Sequence, residues 1–386
     1  MSKMQTILAA NGEQSAAPLT EQRVHNFYPG PGALPEQVIR SSMSALWNFE
    51  QSGIGLIEYS HRYHQVSNII QLAKERIRRL ANISDDYAIL FLQGGGSNQF
   101  CMAPMNLALP ETTIDFVHTG YWSGKAMTEA AKLAKVNIAA TSERRGFREL
   151  PAASHYKWSE NPAYIHYVSN NTIYGTQFKD VPSVPDNAVL VCDASSDIFS
   201  GPVDINRFGM VFASAHKNLG PAGLALVIVR KDLLDRADDK LPSILQYRTH
   251  YNADSLYNSA PMFNIYCIER VLHWLEEQGG LDVMASINQK KSALVYDFLD
   301  QSSLFKALIP NPEYRSQMNV CFKINNTILE EHFIQAAEVN GYRGLRGHSI
   351  VGDLRASLYN GVSLESCEKL VEFMSEYEKQ ALFEFG

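Results

Sequence analysis

Two side chains and a glycine run stand where chemistry could be done. Lys217 lies in VFASAHKNLGPAG, residues 211–223, in a polar turn between an apolar run ending at Ala215 and a second one from Gly223 to Arg230. A lysine is seldom set between buried strands without a task. Asp193, in AVLVCDASSDI, ends another apolar run. Both side chains thus fall at the carboxyl ends of successive predicted strands, the edge of an open α/β sheet at which ligands bind. The third feature, LFLQGGGSNQF (residues 90–100), passes from a strand through three glycines into a helix start. Free backbone N–H groups at such a start bind anions, and glycines let a phosphate approach the backbone. Taken singly, Lys217 is equally a solvated loop residue, Asp193 a helix cap and the glycine turn a packing device. Taken together they supply what pyridoxal phosphate chemistry needs: an amine for the cofactor aldehyde, a carboxylate that keeps the pyridine nitrogen protonated, and N–H donors for the phosphate. On this reading Lys217 holds the cofactor and, once released, is the base that moves the substrate Cα proton.

Placing these groups takes a sheet, and the sequence from Tyr87 onward supplies one. Short apolar runs recur between helical stretches: AILFLQ, VNIAA, AYIHYVS, AVLVCD, GMVFASA and LALVIV. Continuous apolar runs of this length suit a parallel sheet covered on both faces, so the class is α/β. The helical segment ERVLHWLEEQGGL, residues 269–281, ends at Gly279-Gly280, and beyond it helices mix with the strand-like MNVCFKI. The expected organisation is a flexible leader over residues 1–24, a large cofactor-binding domain with an N-terminal arm over 25–283, and a smaller α+β domain over 284–386. The leader is assigned no function; its Ala, Ser, Gln and Glu follow no period.

Composition removes several function classes. The 386 residues carry 34 Lys plus Arg against 41 Asp plus Glu, a formal charge of -7, so no basic field draws in nucleic acid. Five cysteines, odd in number and scattered, form no CxxC pair and no zinc spacing, which predicts no metal site and a reducing, cytoplasmic setting. No apolar run reaches the length of a membrane span and the N-terminus lacks the order of a secretory signal, so no membrane partner is expected. The glycine run is neither GxGxxG nor followed by GK[ST], which argues against a nicotinamide dehydrogenase and against a P-loop enzyme.

A longer signal comes from the ordered stretches NFYPGPGALP, YSHR, LFLQGGGSNQF, HTGYWSGKA, YVSNNTIYGTQF, VCDASSDIFSGPVDINRFG, ASAHKNLGPAGLALVIVRKDLL, SLYNSAPMFNIY, RSQMNV and GLRGHSIVGDLRASLYN. With them the chain resembles the phosphoserine aminotransferase family of fold type I pyridoxal phosphate enzymes, from about Asn26 to Met374. The resemblance implies a large domain with a mainly parallel, seven-stranded sheet flanked by helices, and a smaller C-terminal domain. It makes Lys217 the Schiff-base lysine and Asp193 the partner of the pyridine nitrogen. It puts Gly96 and Ser97 on the cofactor phosphate, Trp122 against the ring, Thr172 on the phenolic oxygen and His216, where the family usually has glutamine, beside the lysine. Asn258 and Ser259 match a pair that reaches the phosphate from a neighbouring subunit, which implies a homodimer with shared active sites. Arg355 matches the arginine that takes the substrate α-carboxylate, and His61, Arg62 and His348 match groups around its distal anion.

The implied reaction is amino transfer between glutamate and 3-phosphohydroxypyruvate or a related 2-oxo acid, in serine biosynthesis. The chain departs from the pattern at one place. Where the family usually reads GHRSVGG, this sequence reads GHSIVGD, residues 347–353, with Ser349 in place of an arginine and Asp353 in place of a glycine. The departure supports an alternative, a divergent enzyme of the same family acting on a different, unphosphorylated 2-oxo acid in a specialised pathway. A binding or scaffold protein on the same fold is opposed by the joint presence of Lys217, Asp193 and Trp122.

Overall fold

The computed structural model describes residues 23–109 and 111–385. Apart from Arg23 and Val24, the expected leader lies outside the described residues. The strands of the large sheet are β1 (Tyr87–Gln93), β2 (Thr113–His118), β3 (Lys135–Thr141), β4 (Tyr164–Val168), β5 (Leu190–Asp193), β6 (Met210–Ser214) and β7 (Leu224–Arg230). Their order is β1-β7-β6-β5-β4-β2-β3, and β7 alone runs antiparallel to its neighbours. The expected seven-stranded, mainly parallel α/β architecture is therefore what the chain forms.

Both faces of this sheet are covered, which is why its strands read as unbroken apolar runs. On one face Ile89, Phe91, Ile165, Leu190, Val211 and Ile228 pack with the inner sides of α1 (Glu36–Trp47), α2 (His64–Ala81) and α5 (Met262–Glu277). On the other, Leu90, Leu92, Tyr164, Val191, Phe212 and Val227 pack with α3 (Gly95–Leu107) and α4 (Tyr121–Ala130). The alternation follows the two-residue period of a strand. One strand, β2, is absent from the apolar runs of the sequence because Asp115 sits at its centre. That carboxylate, fully buried, accepts hydrogen bonds from Asn137 Nδ2 at 2.9 Å, from Ser159 N at 2.7 Å and from Ser159 Oγ at 2.6 Å. Paired in this way, a buried acid is tolerated where an unpaired one would not be.

A smaller layer follows. Its antiparallel sheet joins β8 (Phe305–Ala307), β9 (Asn319–Ile324) and β10 (Leu354–Ser357), and α7 (Thr327–Val339) and α8 (Leu364–Phe385) pack on it through Phe333, Ile334, Leu370 and Met374. The long helix α6 (Gly280–Gln301) starts at a pair of glycines of positive φ, Gly279 at 97° and Gly280 at 81°, which separate it from α5 at the expected point. Its first turns place Leu281 and Met284 in the large core and its later ones Val295 and Leu299 in the small core. The chain's beginning also joins the small layer: His25–Asn26 pairs in parallel with Tyr342–Arg343, and Phe27 lies in that core.

Candidate active site

β4 and β5 end in register, with Val168 beside Asp193, while Asp193 pairs with Phe212 and β6 runs two residues further, to Ser214. Asp193, the last residue of β5, is 4% exposed and accepts a hydrogen bond from Ser195 N at 3.0 Å. Immediately after β6 the chain makes one helical turn, Ala215–Asn218, closed by Leu219 N and Gly220 N on Ala215 O. The turn sends Lys217 back toward the end of β5. Its side chain is 7% exposed, and Nζ donates to Thr172 Oγ1 at 2.7 Å and lies 5.5 Å from the centre of the Trp122 ring. Burial lowers the Lys217 pKa to about 8; Asp193 opposes the shift and Arg355 adds to it. A lysine so placed gives up its proton far more readily than one in water, as a nucleophilic amine must. Burial raises the pKa of Asp193 above that of an ordinary carboxylate, against the Ser195 hydrogen bond and Lys217, so an added cation at this strand end would be favoured.

Thr172 is the junction of the site. Its hydroxyl takes the Lys217 amine, and its carbonyl accepts from Arg355 Nη1 at 3.0 Å. Arg355, on β10 of the small layer, is 3% exposed and is thereby held against the end of the large sheet. Its Nε is buried with no hydrogen-bond partner, and the same is true of Trp122 Nε1 at the start of α4. Two buried donors without acceptors beside a lysine are groups waiting for a ligand with acceptor atoms.

The glycine run opens α3 with φ of 92° at Gly94 and 63° at Gly95, and no side chain caps the helix. A Cβ on Gly96 would come within 2.7 Å of Ser214 Oγ and 3.3 Å of Ser195 Oγ, so only glycine leaves this cradle open. The Gly96 N–H donates to Ser214 Oγ at 2.6 Å, and Ser97 is exposed on the first turn. Serine hydroxyls from β6 and the loop after β5 thus share the cradle with the backbone donors, a polar lining suited to a phosphate. A pyridoxal phosphate molecule fits these residues: an amine, a carboxylate at a neighbouring strand end, a ring-sized aromatic face in Trp122, and an uncapped helix start.

Several participants were not visible in the sequence. The segment around Gly30 and Gly32 folds over the Lys217 turn: Gly32 N donates to His216 O at 2.8 Å, and a Cβ on Gly32 would lie 2.7 Å from Lys217 O. His216 packs against Gly30, where a Cβ would meet its ring at 2.7 Å, and burial, with Lys217 adding, lowers its pKa to about 4, leaving a neutral hydrogen-bonding imidazole. Tyr359 Oη donates to Pro29 O at 2.6 Å and tightens the same segment. The only sequence signal was the glycine pair in NFYPGPGALP. Asp197, the second acid of VCDASSDI, accepts from Ser169 Oγ and Gln177 Nε2, and burial raises its pKa to about 6.

The groups expected around a distal anion divide into two places. His348, half-buried, stands with its ring centre 5.9 Å from that of Tyr121, next to Trp122, and its Nδ1 accepts from Ile350 N at 3.2 Å. Ser349 beside it is exposed, and Asp353 closes the loop at φ 57°, a conformation that suits glycine better. Arg346, two residues before His348, makes a bidentate pair with Glu331 at 2.8 Å on both nitrogens. His61, Arg62 and Ser259 lie elsewhere, along one open groove whose lining includes neither Lys217 nor Asp193. Asn258 is half-buried beside them, on a segment fixed to the end of β1 by Gln93 Nε2 on Ser259 O at 3.1 Å.

A buried lysine and a buried aspartate at adjacent strand ends of a seven-stranded, mainly parallel sheet define a fold type I pyridoxal phosphate enzyme. The chain belongs to the class-V aminotransferase family, whose model matches residues 24–370. It is 45% identical over 359 residues to the phosphoserine aminotransferase of Geobacillus kaustophilus, covering 93% of this chain and 99% of that one. A second relative, the phosphoserine aminotransferase of Desulfosudis oleivorans, is 45% identical over 360 residues, with the same coverage. Among solved structures, phosphoserine aminotransferase from Bacillus circulans subsp. alkalophilus superposes with a TM-score of 0.90 at 41% identity, covering 93% of this chain and 99% of that one. The pyridoxal-phosphate-bound phosphoserine aminotransferase of Trichomonas vaginalis gives 0.86 at 34% identity, covering 92% and 100%. The chain is thus a pyridoxal-phosphate-dependent transaminase. Among the described residues no helix is long and apolar enough to cross a membrane, and no cluster of His, Cys, Asp or Glu is arranged to hold a metal ion.

Proposed function

We propose that this chain moves an amino group between glutamate and 3-phosphohydroxypyruvate or a related 2-oxo acid, the phosphoserine aminotransferase reaction of serine biosynthesis. The observation that carries the proposal is Lys217 Nζ, buried, bonded to Thr172 Oγ1, and flanked by Asp193 and Arg355. The bound cofactor supplies an electron sink for the substrate Cα carbanion. Asp193 would keep the pyridine nitrogen charged, Gly96, Ser97 and the adjoining serines would hold the phosphate, and Trp122 and Thr172 would fix the ring and its oxygen. Arg355, drawn in by the Thr172 carbonyl, orients the substrate carboxylate. With the cofactor in place, Lys217 would hold and return the proton of the substrate Cα. A spectroscopic half-reaction screen of amino donors and 2-oxo acids tests this; a purified protein with no cofactor absorbance, or none that responds to any amino acid, would remove it.

A second reading keeps the chemistry and changes the acceptor. It is favoured by Ser349 and Asp353 together with the Arg346–Glu331 pair, which leaves the 347–353 loop without a free guanidinium. A lost charge-assisted contact to phosphate costs about 1.5–3 kcal/mol, or roughly 10- to 150-fold in affinity. Ser349→Arg is then expected to raise kcat/KM for 3-phosphohydroxypyruvate about tenfold or more, with little or adverse effect on an unphosphorylated oxo acid. A wild-type kcat/KM above about 10⁴ M⁻¹s⁻¹ with the phosphorylated acceptor, in the range of ordinary enzymes, would rule this reading out.

The assembly proposed is a homodimer in which Asn258, Ser259, His61 and Arg62 complete the site of a partner copy. Support comes from the groove that gathers three of them away from Lys217, and from the exposed Met43, Trp47, Ile54, Ile57 and Tyr63 on α1 and the segment after it. An apolar surface of this kind marks an interface. Mixing two inactive variants, Lys217→Ala and Asn258→Ala, is expected to restore part of the activity through hybrid dimers with one intact site. Absence of recovery after proven subunit exchange would count against sharing. A cytoplasmic setting belongs to the same proposal and is supported by five cysteines that are all unpaired.

A further inference from the structure

Beside the site lies a groove of about 310 Å³ lined by Arg145, Gly146, Arg148, Tyr174, Leu308 and Val351. One wall is a compact turn of the large domain, closed by Gly146 N on Glu143 O and by Phe147 N on Ser142 O. The other is Val351, from the loop that carries His348 and Ser349. The groove touches the catalytic centre on two sides. Tyr174 is two residues from Thr172 and packs against Gly120, where a Cβ would meet its ring at 3.0 Å, at the start of the helix bearing Trp122. Val351 N donates to His348 O at 3.0 Å, and the His348 ring faces Tyr121.

The charge in this groove is positive and largely uncommitted. Arg148 makes no ion pair among the described residues, and Arg145 has only a long contact, 3.5 Å from Nε to the exposed Glu149. No carboxylate lines the groove. Phe147, at φ 58°, packs between His118, edge-on, and Tyr174, tilted, with ring centres 5.0 and 4.9 Å away, which pins the turn that presents both arginines. Guanidinium forks left free over a concave surface suit a carboxylate or a phosphate.

We propose that Arg145 and Arg148 form a subsite for the distal anionic group of the 2-oxo acid substrate, reached past His348 when the α-carboxylate is on Arg355. The proposal rests on the amino-transfer reading and deepens it: the preferred acceptors are oxo acids with a second anionic group, and selectivity comes from the large-domain turn as well as from the 347–353 loop. Both arginines are exposed, so their removal leaves the core intact.

The test is a single-turnover half-reaction of the amino-loaded holoenzyme with 3-phosphohydroxypyruvate, 2-oxoglutarate and pyruvate, comparing wild type, Arg148→Ala, Arg148→Lys and Arg145→Ala/Arg148→Ala. The double variant should raise the half-saturation concentration for at least one of the two acceptors bearing a distal anion by about tenfold or more. Pyruvate should stay within about twofold and the maximal rate should hold. Arg148→Lys should recover part of the loss, and the salt dependence of the affected acceptor should flatten in the double variant. The acceptor that loses more tells a phosphate from a carboxylate as the group read here. Equal effects on all three acceptors, or none on any, would overturn the subsite while leaving amino transfer standing. A wild type that transfers to none of them would remove the amino-transfer reading and the subsite with it.

Discussion

Lys217→Ala is expected to fold, to lose the absorbance of covalently held cofactor, and to lose amino transfer by roughly 10⁴-fold or more, the upper end of what a positioned proton-transfer group contributes. Nζ is the buried amine at the strand-end site, bonded to Thr172 and 5.5 Å from the Trp122 ring. In the proposed mechanism every transfer of the Cα proton runs through it. The check is direct: borohydride reduction of the wild-type holoenzyme followed by peptide mass spectrometry should find the modification on Lys217, and the variant should show none. Lys291, the other buried lysine among the described residues, is the natural control. Its Nζ is spent on the carbonyls of Leu358, Tyr359 and Val362 at 2.8–3.0 Å, so it should remain unmodified in both proteins. Modification of any other lysine in the wild type would end the assignment.

Asp193→Asn should keep fold and cofactor yet reduce turnover by about 10²-fold or more, the scale on which removal of one charge-stabilising group acts in a buried site. The amide retains the shape of the side chain and can still accept from Ser195 N, so packing is conserved. What it cannot do is carry the negative charge that burial already makes costly here and that a protonated pyridine would offset. The same change should also raise the affinity of Lys217 for neutrality, because Asp193 is the main group opposing its lowered pKa. Near-normal kcat in Asp193→Asn, with cofactor bound, would take Asp193 out of the mechanism.

The sheet was legible wherever burial on both faces left an unbroken apolar run, and illegible at β2, where a satisfied acid interrupts the pattern and only the distant Asn137 and Ser159 explain it. Lys217 and Asp193 were readable because strand ends are readable. The role of Arg355 came from its motif, since nothing local in LRAS announces that its side chain crosses to the Thr172 carbonyl. Gly30 and Gly32 stood out as a pair, but their contacts were unreadable for the same reason: their neighbours His216, Lys217 and Tyr359 are remote in the chain. Proximity in sequence is no guide at Arg346, which lies two residues from His348 and yet is bound to Glu331 on α7.

The route of the chain around Lys217 sets a timetable for biosynthesis. His25–Asn26 pairs with Tyr342–Arg343, Pro29 accepts from Tyr359, and Gly32 lies on the Lys217 turn. A segment made before the large sheet is therefore anchored by residues made after it. On a ribosome adding about 5–20 residues per second, the large sheet emerges and can pack well before β10 does. During that interval Lys217 has no roof and Arg355 does not yet exist. The cofactor pocket is completed only once β10 and Tyr359 have been made, so a chain stalled before them leaves a sheet without an active site.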